Sequence, residues 1–299
     1  DILPGLIEGR DRVYYSMGKD DHFDNQVMDW VKVIRNKAKM GAHPPGEFLV
    51  LDHLLHELRL FKSAGEIKLM ETAAKISAQG HKRAMSCCKP GIKEYEMEAE
   101  LLYAFARNGS RAPAYNSIVA AGDNACILHY NTNNAEVKEG DLILIDAGCE
   151  YEYYASDITR TFPATGKFTP EQKAIYQLVL DAQNAAIDAV APGASWDEPH
   201  NASVKVITRG LIKLGLLKGR ASQLIKAEAY RDFYMHRVGH WIGMDVHDVG
   251  DYKIDDHWRL LEPGMVTTIE PGIYISPDNK KVEKRWRGIG VRIEDDVLV

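Results

Sequence analysis

Four acidic residues lie in apolar, β-branched segments, where an isolated charge is costly. Asp146 ends the run LILID, and Asp157 follows in YEYYASDITRTF. Glu270 interrupts VTTIEPGIYI, and Glu294 interrupts VRIEDDVLV. Burying four carboxylates together is unfavourable, because desolvation and mutual repulsion both oppose their ionisation. Two divalent cations would supply four positive charges, so the sequence predicts a dinuclear metal site.

A histidine-rich segment, MHRVGHWIGMDVHDVG (235–250), offers a fifth ligand. It contains His236, His240 and His247, and its glycines favour backbone that approaches another group closely over a helix. Four carboxylates and one imidazole, here that of His240, form an oxygen-rich site that suits manganese; cobalt, iron, magnesium and zinc are alternatives. Taken singly, each residue has an ordinary explanation as a turn, surface or core residue. Their joint occurrence in apolar segments favours the metal site.

The surrounding pattern predicts an α+β fold. Ser63 and Glu66 have the spacing of a capping box, so a helix should begin there and end at Lys89-Pro90-Gly91. Three further helices are predicted at 92–107, from Thr169-Pro170 to about 193, and from a cap at Ser195 and Glu198 to about 214. Strands are predicted at 141–148, 151–162, 265–275 and 288–299. Because helices and strands arrive in clusters with hairpins, α+β fits better than a parallel βαβ array.

Six strings of the sequence match a known family: ILHY (127–130), LIDAGCEY (144–151), SDITRTFP (156–163), HRVGHWIGMDVHDVG (236–250), LEPGMVTTIEPGIYI (261–275) and RGIGVRIEDD (287–296). In these strings the chain resembles the Xaa-Pro aminopeptidases (aminopeptidase P) of the pita-bread metallopeptidases. The resemblance implies a pita-bread catalytic domain over residues 61–299. Residues 1–60 look like the C-terminal part of the family's N-terminal, creatinase-like α/β domain, and the chain is expected to be a fragment.

The resemblance also implies roles for individual residues. Asp157 would bridge the two metals, and Glu270 would both bind metal and move a proton. The implied metal ligands are Asp146, Asp157, His240, Glu270 and Glu294. The implied substrate-binding and catalytic residues are His129, His236, His247, Tyr274 and Arg292, with Tyr274 contacting substrate only.

The implied activity is removal of the first residue from peptides with proline second. The first alternative is prolidase, which cleaves only Xaa-Pro dipeptides and must bind the proline carboxylate. Beside Arg292, no basic residue of RGIGVRIEDD looks free for that task, since Arg287 reads as part of an exposed loop, so longer peptides are expected to be cleaved. The second alternative is a non-catalytic pita-bread binding protein, which is disfavoured because all five ligand positions are filled.

Composition narrows the remaining possibilities. The 299-residue chain has a net charge of −6 and no basic run, so nucleic acid is not an expected partner. No apolar stretch is long enough to span a membrane. The four cysteines lack C-x-x-C spacing and read as free thiols in a reducing cytoplasm. The family resemblance adds the expectation of a homo-oligomer, either a dimer or a tetramer.

Overall fold

The computed structural model describes residues 2–299, which form two compact units. The first unit ends at Leu58, and the second is Arg59–Val299. In the first, β1 and β2 pair in parallel. The assignment of residues 1–60 to an N-terminal creatinase-like domain stays a prediction. The elements of this part are α1 (Leu3–Ile7), β1 (Arg12–Tyr15), α2 (Asp21–Asn36), β2 (Glu47–Val50) and α3 (Leu51–Leu60), the last of which crosses the boundary.

The second unit begins with a helix pair that covers two small antiparallel sheets. The strand orders are β4-β5-β8 and β3-β6-β7. Leu101 and Phe105 of the helix pair share a core with Val119, Ile143 and Ile145 of the larger sheet. The elements are α4 (Ala64–Cys87), α5 (Glu94–Arg107), β3 (Ala112–Pro113), β4 (Ile118–Ala121), β5 (Leu142–Asp146), β6 (Cys149–Tyr151), β7 (Tyr154–Ala155) and β8 (Thr159–Pro163).

A second helix pair covers the strands that follow. Ile175 and Ile207 of this pair pack against Ile273 and Val291 of the strands. The elements are α6 (Pro170–Ile187), α7 (Glu198–Lys213), α8 (Ala221–Lys226), β9 (Lys253–Ile254), β10 (His257–Trp258), β11 (Val266–Ile269), β12 (Gly272–Ile275), β13 (Ile289–Arg292) and β14 (Asp295–Leu298). None of the described helices combines the length and the hydropathy that crossing a bilayer requires.

The α+β prediction is confirmed, and the capping box of Ser63 and Glu66 is present at the start of α4. The predicted cap at Ser195 is wrong, because α7 begins at Glu198 with Asp197 at its N-cap position. Ser195 forms an isolated bridge with Leu260, and the Trp196 amide donates to a carbonyl of the same segment. A turn follows this pairing, in which the Glu198 amide donates to Ser195 O. The Ser195 amide does donate to Glu198 Oε1 at 3.0 Å, but the Ser195 hydroxyl donates to Asp197 and not to the helix, as a cap would require it to accept.

The four predicted strands are present, but three of them are broken. The segment 151–162 is interrupted by a turn in which Glu152 and Tyr153 have positive φ angles of 49° and 70°. The segments 265–275 and 288–299 are each divided in two. Asp157, Glu270 and Glu294 therefore lie in the breaks between strands rather than inside them, which corrects their predicted placement.

Candidate metal centre

The two glutamates lie opposite each other where a long antiparallel ribbon opens. In this ribbon β11 pairs with β14 and β12 pairs with β13, and the pairings Ile269↔Asp295 and Gly272↔Arg292 belong to one continuous register. That register sets Glu270 against Glu294, but neither pairs with the other. The amide of Glu294 instead donates to Thr159 O at 3.1 Å, and the amide of Glu270 donates to Val238 O at 2.7 Å. The opening thus joins the ribbon to β8 and to the histidine-rich segment.

The two aspartates are brought together by the segment that joins β5 to β8. Asp146 ends β5 and pairs with Thr159 at the start of β8, two residues after Asp157. Gly148 permits the turn, because a Cβ atom there would lie 1.7 Å from the carbonyl oxygen of Ser156. The hydroxyl of Tyr115 lies 2.6 Å from Asp146 Oδ1 and also contacts Asp157 Oδ1. With one proton, that hydroxyl can donate to only one carboxylate at a time.

His240 completes the donor set with an oriented ring. Its Nδ1 is 3.0 Å from the carbonyl oxygen of Trp241, to which it can donate. Nε2 therefore points to the carboxylates, 3.5 Å from Asp157 Oδ2 and 3.6 Å from Glu270 Oε1. A backbone hydrogen bond of this kind fixes the tautomer of a metal-binding imidazole. Ligand atoms of Asp157, His240 and Glu294 lie within 4.8 Å of one another, as a shared cation requires.

All five predicted metal ligands line one cavity of about 450 Å³. Three of these carboxylates, those of Asp157, Glu270 and Glu294, are buried close to one another. Burial and the nearby carboxylates raise the pKa of Asp157 and of Glu294, and burial raises the pKa of Glu270 to about 7. Burial alone would lower the pKa of His240, but its contacts with Asp157 and Glu270 raise it to about 9. The concentration of negative charge therefore favours the binding of a cation.

The ligand types of the five predicted residues suit a divalent metal ion. Carboxylate oxygens and one imidazole are ligands for manganese, magnesium, iron and zinc. Among the described residues, only the imidazoles of His236 and His240 reach ion-pair distance of Asp157, Glu270 or Glu294. A divalent cation would replace the proton that the imidazole of His240 otherwise shares with its carboxylate neighbours.

A buried hydrogen-bond network lies behind the donor set. Arg292 donates from Nη2 to Asp146 Oδ2 at 2.6 Å and from Nη1 to the hydroxyl of Tyr274 at 2.9 Å. The same hydroxyl lies 2.9 Å from His236 Nε2. Burial and the Arg292 charge lower the pKa of His236 to about 3, which keeps its imidazole neutral. Tyr274 is not among the cavity-lining residues and reaches the cavity through these two neighbours.

Two further predicted residues stand at the exposed side of the cavity. The side chains of His129 and His247 line it and are open to solvent. The ring of His247 lies edge-on to that of His240, with centroids 4.4 Å apart. Burial and the neighbouring His240 lower the pKa of His247, so it too is a neutral donor or acceptor near neutral pH.

Comparison with known proteins identifies the family. A sequence profile of metallopeptidase family M24 matches residues 68–299, a range that includes every predicted site residue. The chain belongs to metallopeptidase family M24. The pita-bread prediction is thereby confirmed for this part of the M24 chain, whose predicted metal ligands come from both of its helix-covered halves.

Individual relatives agree with this assignment. The M24 chain is 46% identical over 294 residues to Xaa-Pro aminopeptidase of Escherichia coli. The match covers 98% of this chain and 66% of that protein. It therefore spans just under two thirds of this curated relative. The solved structure of aminopeptidase PepP from Pseudomonas aeruginosa is 65% identical, with a TM-score of 0.96 over 100% of this chain and 68% of the other. A zinc-substituted E. coli aminopeptidase P in complex with product is 46% identical, with a TM-score of 0.94 over 99% of this chain and 67% of the other.

Several site residues of the M24 chain gave no signal in the sequence. Tyr115, in the segment RAPAYNS, has no spacing that relates it to the aspartates it contacts. Asp296, two residues after Glu294, accepts from the amide of Asp157 at 3.0 Å, yet its sequence position suggests an ordinary strand residue. Asn131 and Arg237 also line the cavity. Long-range contacts place Tyr115 and Asp296 at the site, whereas Arg237 reaches it as the neighbour of His236.

Proposed function

We propose that this M24 chain carries the catalytic site of an Xaa-Pro aminopeptidase, which releases the N-terminal residue of peptides with proline second. One observation carries the proposal. Every member of the donor set Asp146, Asp157, His240, Glu270 and Glu294 lines a single cavity, in a chain 46% to 65% identical to proteins named as aminopeptidases of this type.

These five residues would hold two divalent cations. Metal ions of this kind lower the pKa of coordinated water and polarise a carbonyl group. Manganese is the proposed metal because four of the five donors are carboxylates and none is a thiolate. The E. coli relative has been solved with zinc substituted, so zinc, cobalt, iron and magnesium are the alternatives to compare in a loading experiment.

The residues around the donor set have distinct proposed tasks. The carboxylate of Glu270 lies 3.7 Å from His236 and 3.6 Å from His240, where it can take a proton from the attacking water and give it to the proline nitrogen. His247 and His129, at the open side, can hydrogen-bond to the substrate carbonyl oxygens. Arg292 keeps Asp146 in place and, through Tyr274, keeps the His236 ring oriented.

The two alternatives fit less well. A non-catalytic pita-bread protein has no need of a complete donor set. A prolidase must hold the proline carboxylate, whereas the cavity is open to solvent at His129 and His247. We therefore expect peptides longer than two residues to be accepted.

We also infer the setting of the enzyme. Cys87, Cys88, Cys126 and Cys149 are all free, which supports a reducing compartment such as the cytoplasm. The proposed partners are peptides with an N-terminal Xaa-Pro sequence and further copies of the chain, as a dimer or tetramer. The net charge of −6 supports the absence of nucleic acid from this set. Light scattering of the purified protein measures the oligomer directly.

Three alanine variants test the division of labour. His240→Ala should lose metal, measured by atomic emission after dialysis, because it removes a ligand. His236→Ala and His247→Ala should keep their metal and lose turnover by roughly 10² to 10⁴, as removal of a proton-transfer or oxyanion group does. Equal metal loss in all three variants would contradict the proposed roles.

Substrate variation tests the specificity. A tripeptide with proline second should be cleaved at least as well as the corresponding dipeptide, after treatment with chelator and reloading with manganese. Exchange of the second residue from proline to alanine should lower kcat/KM far more than exchange of the third. Hydrolysis of dipeptides alone, by a protein that includes its full N-terminal part, would instead support prolidase.

A further inference from the structure

Arg237 is a cation at the cavity that the proposed reaction leaves unused. Two arginines line the cavity. Arg292 is buried and donates to Asp146 and Tyr274. The side chain of Arg237, by contrast, is exposed, and its guanidinium makes no hydrogen bond or ion pair with any residue that the structure describes. Its five N–H groups are therefore available to a ligand.

Trp258 supports this guanidinium from one side. The Cζ atom of Arg237 lies 4.9 Å from the centroid of the Trp258 ring. Lys253 lies 4.6 Å from the same centroid and pairs with Trp258 in the β9–β10 hairpin. An arginine stacked on an aromatic ring loses less conformational freedom on binding a ligand, while the edge of its planar fork stays open for two parallel hydrogen bonds. Such a fork matches a carboxylate.

The cavity is acidic at its base and carries the positive charge of Arg237 at its rim. Asp157 and Glu294 are buried at its base, whereas Asn131, Arg237 and His247 are exposed at its rim. An aminopeptidase cuts one residue from the free amine, so that end of the substrate must reach the acidic base. The remainder of the peptide then passes the rim. Its carboxylate would be repelled by the base and attracted by Arg237.

We propose that Arg237 is a specificity-determining residue that binds a carboxylate in the part of the peptide beyond proline. That carboxylate is the terminal α-carboxylate of a short peptide or the side chain of an acidic residue. The inference rests on the proposed aminopeptidase function. In the RGIGVRIEDD segment, no basic residue besides Arg292 looked free to bind a carboxylate. Arg237, which lies outside that segment, can take this role. Because the rim is open, Arg237 creates a preference rather than a requirement.

The test compares substrates that differ only in charge. One pair is Ala-Pro-Ala with a free carboxylate and its C-terminal amide. The other is the amide of Ala-Pro-Glu and the amide of Ala-Pro-Gln, which separates the acidic side chain from the terminal carboxylate. In the wild-type enzyme the anionic member of at least one pair should have a kcat/KM that is higher by roughly three- to ten-fold, as for a partly exposed charge pair. The pair that shows this ratio identifies the source of the carboxylate.

Two variants make the comparison specific. Arg237→Gln should abolish the preference, mainly through an increase in KM for the anionic peptide, because the interaction is equal in ground and transition states. Lys253→Gln is the matched control: it removes a cation from the same Trp258 ring at a residue that does not line the cavity. This control should retain the preference. Raised ionic strength should weaken the preference in the wild type and leave Arg237→Gln unchanged.

A binding measurement supplies a readout independent of turnover. Calorimetry uses the products of whichever substrate pair shows the preference, either Pro-Ala and its amide or the amides of Pro-Glu and Pro-Gln. It should show the same ratio in the wild type and the same loss in Arg237→Gln. An equal reduction for charged and amidated ligands, or equal effects of the two variants, would overturn the proposal. If the wild type cleaved no peptide with proline second, the proposed function would fail instead, so the two failures are distinguishable.

Discussion

Replacing Asp248 by asparagine should destabilise the second unit far more than replacing its buried partner Lys62 by methionine. Lys62 Nζ lies 3.7 Å from Asp248 Oδ2, and each side chain is 1% exposed. Arg59, whose side chain is 30% exposed, contacts Asp248 Oδ1 at 2.5 Å. The amide of Asp248 donates to the carbonyl of Trp241, which closes the segment between His240 and His247. The ion pair therefore lies next to the backbone that carries His240 and His247.

The asymmetry follows from what each change leaves behind. Asp248→Asn removes the carboxylate that interacts most strongly with the buried Lys62 and leaves only the weaker charge of Glu66. A poorly compensated buried charge costs about 3–5 kcal/mol. Burial already lowers the pKa of Lys62, and loss of the Asp248 charge lowers it further. Lys62→Met leaves Asp248 paired with Arg59 and replaces the ammonium group by an apolar end, so about 1 kcal/mol or less is expected. The double variant should be more stable than Asp248→Asn alone.

Urea unfolding followed by intrinsic tryptophan fluorescence, to which the buried Trp241 contributes, measures these differences in the free energy of unfolding. Lys75→Met is the control, because Lys75 forms an exposed ion pair with Glu71, worth about 0.5 kcal/mol at most. If Lys62→Met destabilised the protein as much as Asp248→Asn, the reasoning from uncompensated charge would be refuted. The outcome would then point to packing of the lysine chain as the dominant effect.

Three other predictions concern crowding of charge, protonation and backbone contact. Asp157→Asn should raise the Tm of the metal-free protein, since it removes one of several repelling carboxylates, and should diminish the increase in Tm on adding manganese; a lower metal-free Tm would contradict this. Burial lowers the pKa of His81 and of His200 to about 4, so below about pH 6.5 the unfolded state binds more protons than the folded state. The free energy of unfolding should therefore decrease as the pH falls from about 6.5 to 4, by up to about 3 kcal/mol for each histidine. His200→Gln should flatten the dependence of Tm on pH; an unchanged dependence would mean that His200 is protonated in the folded protein. Gly239→Ala would place a Cβ atom 1.9 Å from a backbone carbonyl oxygen, so it should lower the free energy of unfolding by about 3 kcal/mol and weaken metal binding. The control Gly65→Ala, whose Cβ atom would meet only one atom at 3.9 Å, should be neutral or stabilising in thermal unfolding.

The sequence predicted best what is decided locally. Ser63 with Glu66, and Thr169 with Gln172, form capping boxes at the helix starts, because the groups that satisfy each other are three residues apart. Ser195 looked equally suitable but fails as a cap, since its backbone pairs with Leu260. A local pattern cannot show that a distant segment competes for the same backbone.

The candidate site likewise has features that the local sequence indicates and features that depend on distant segments. Acidic residues in apolar segments indicated the donor set, because buried carboxylates are costly unless a positive charge compensates them. The breaks at Glu270 and Glu294 were not predictable, because they depend on backbone hydrogen bonds to Val238 and Thr159 from elsewhere in the chain. Arg237 gave no signal either, since an isolated exposed arginine is ordinary until its position at the cavity is known.

The opening of the long ribbon also has a consequence for how the protein folds. Arg292 and Asp146, which it brings together, are 146 residues apart, and Thr159 and Glu294 are 135 apart. Closing such large loops is entropically slow, so contacts of this range form late. Neither half of the chain alone holds both aspartates and both glutamates. During synthesis, binding of the proposed metal pair would therefore have to wait for the C-terminal strands, and uptake of the ions would report that this unit has folded.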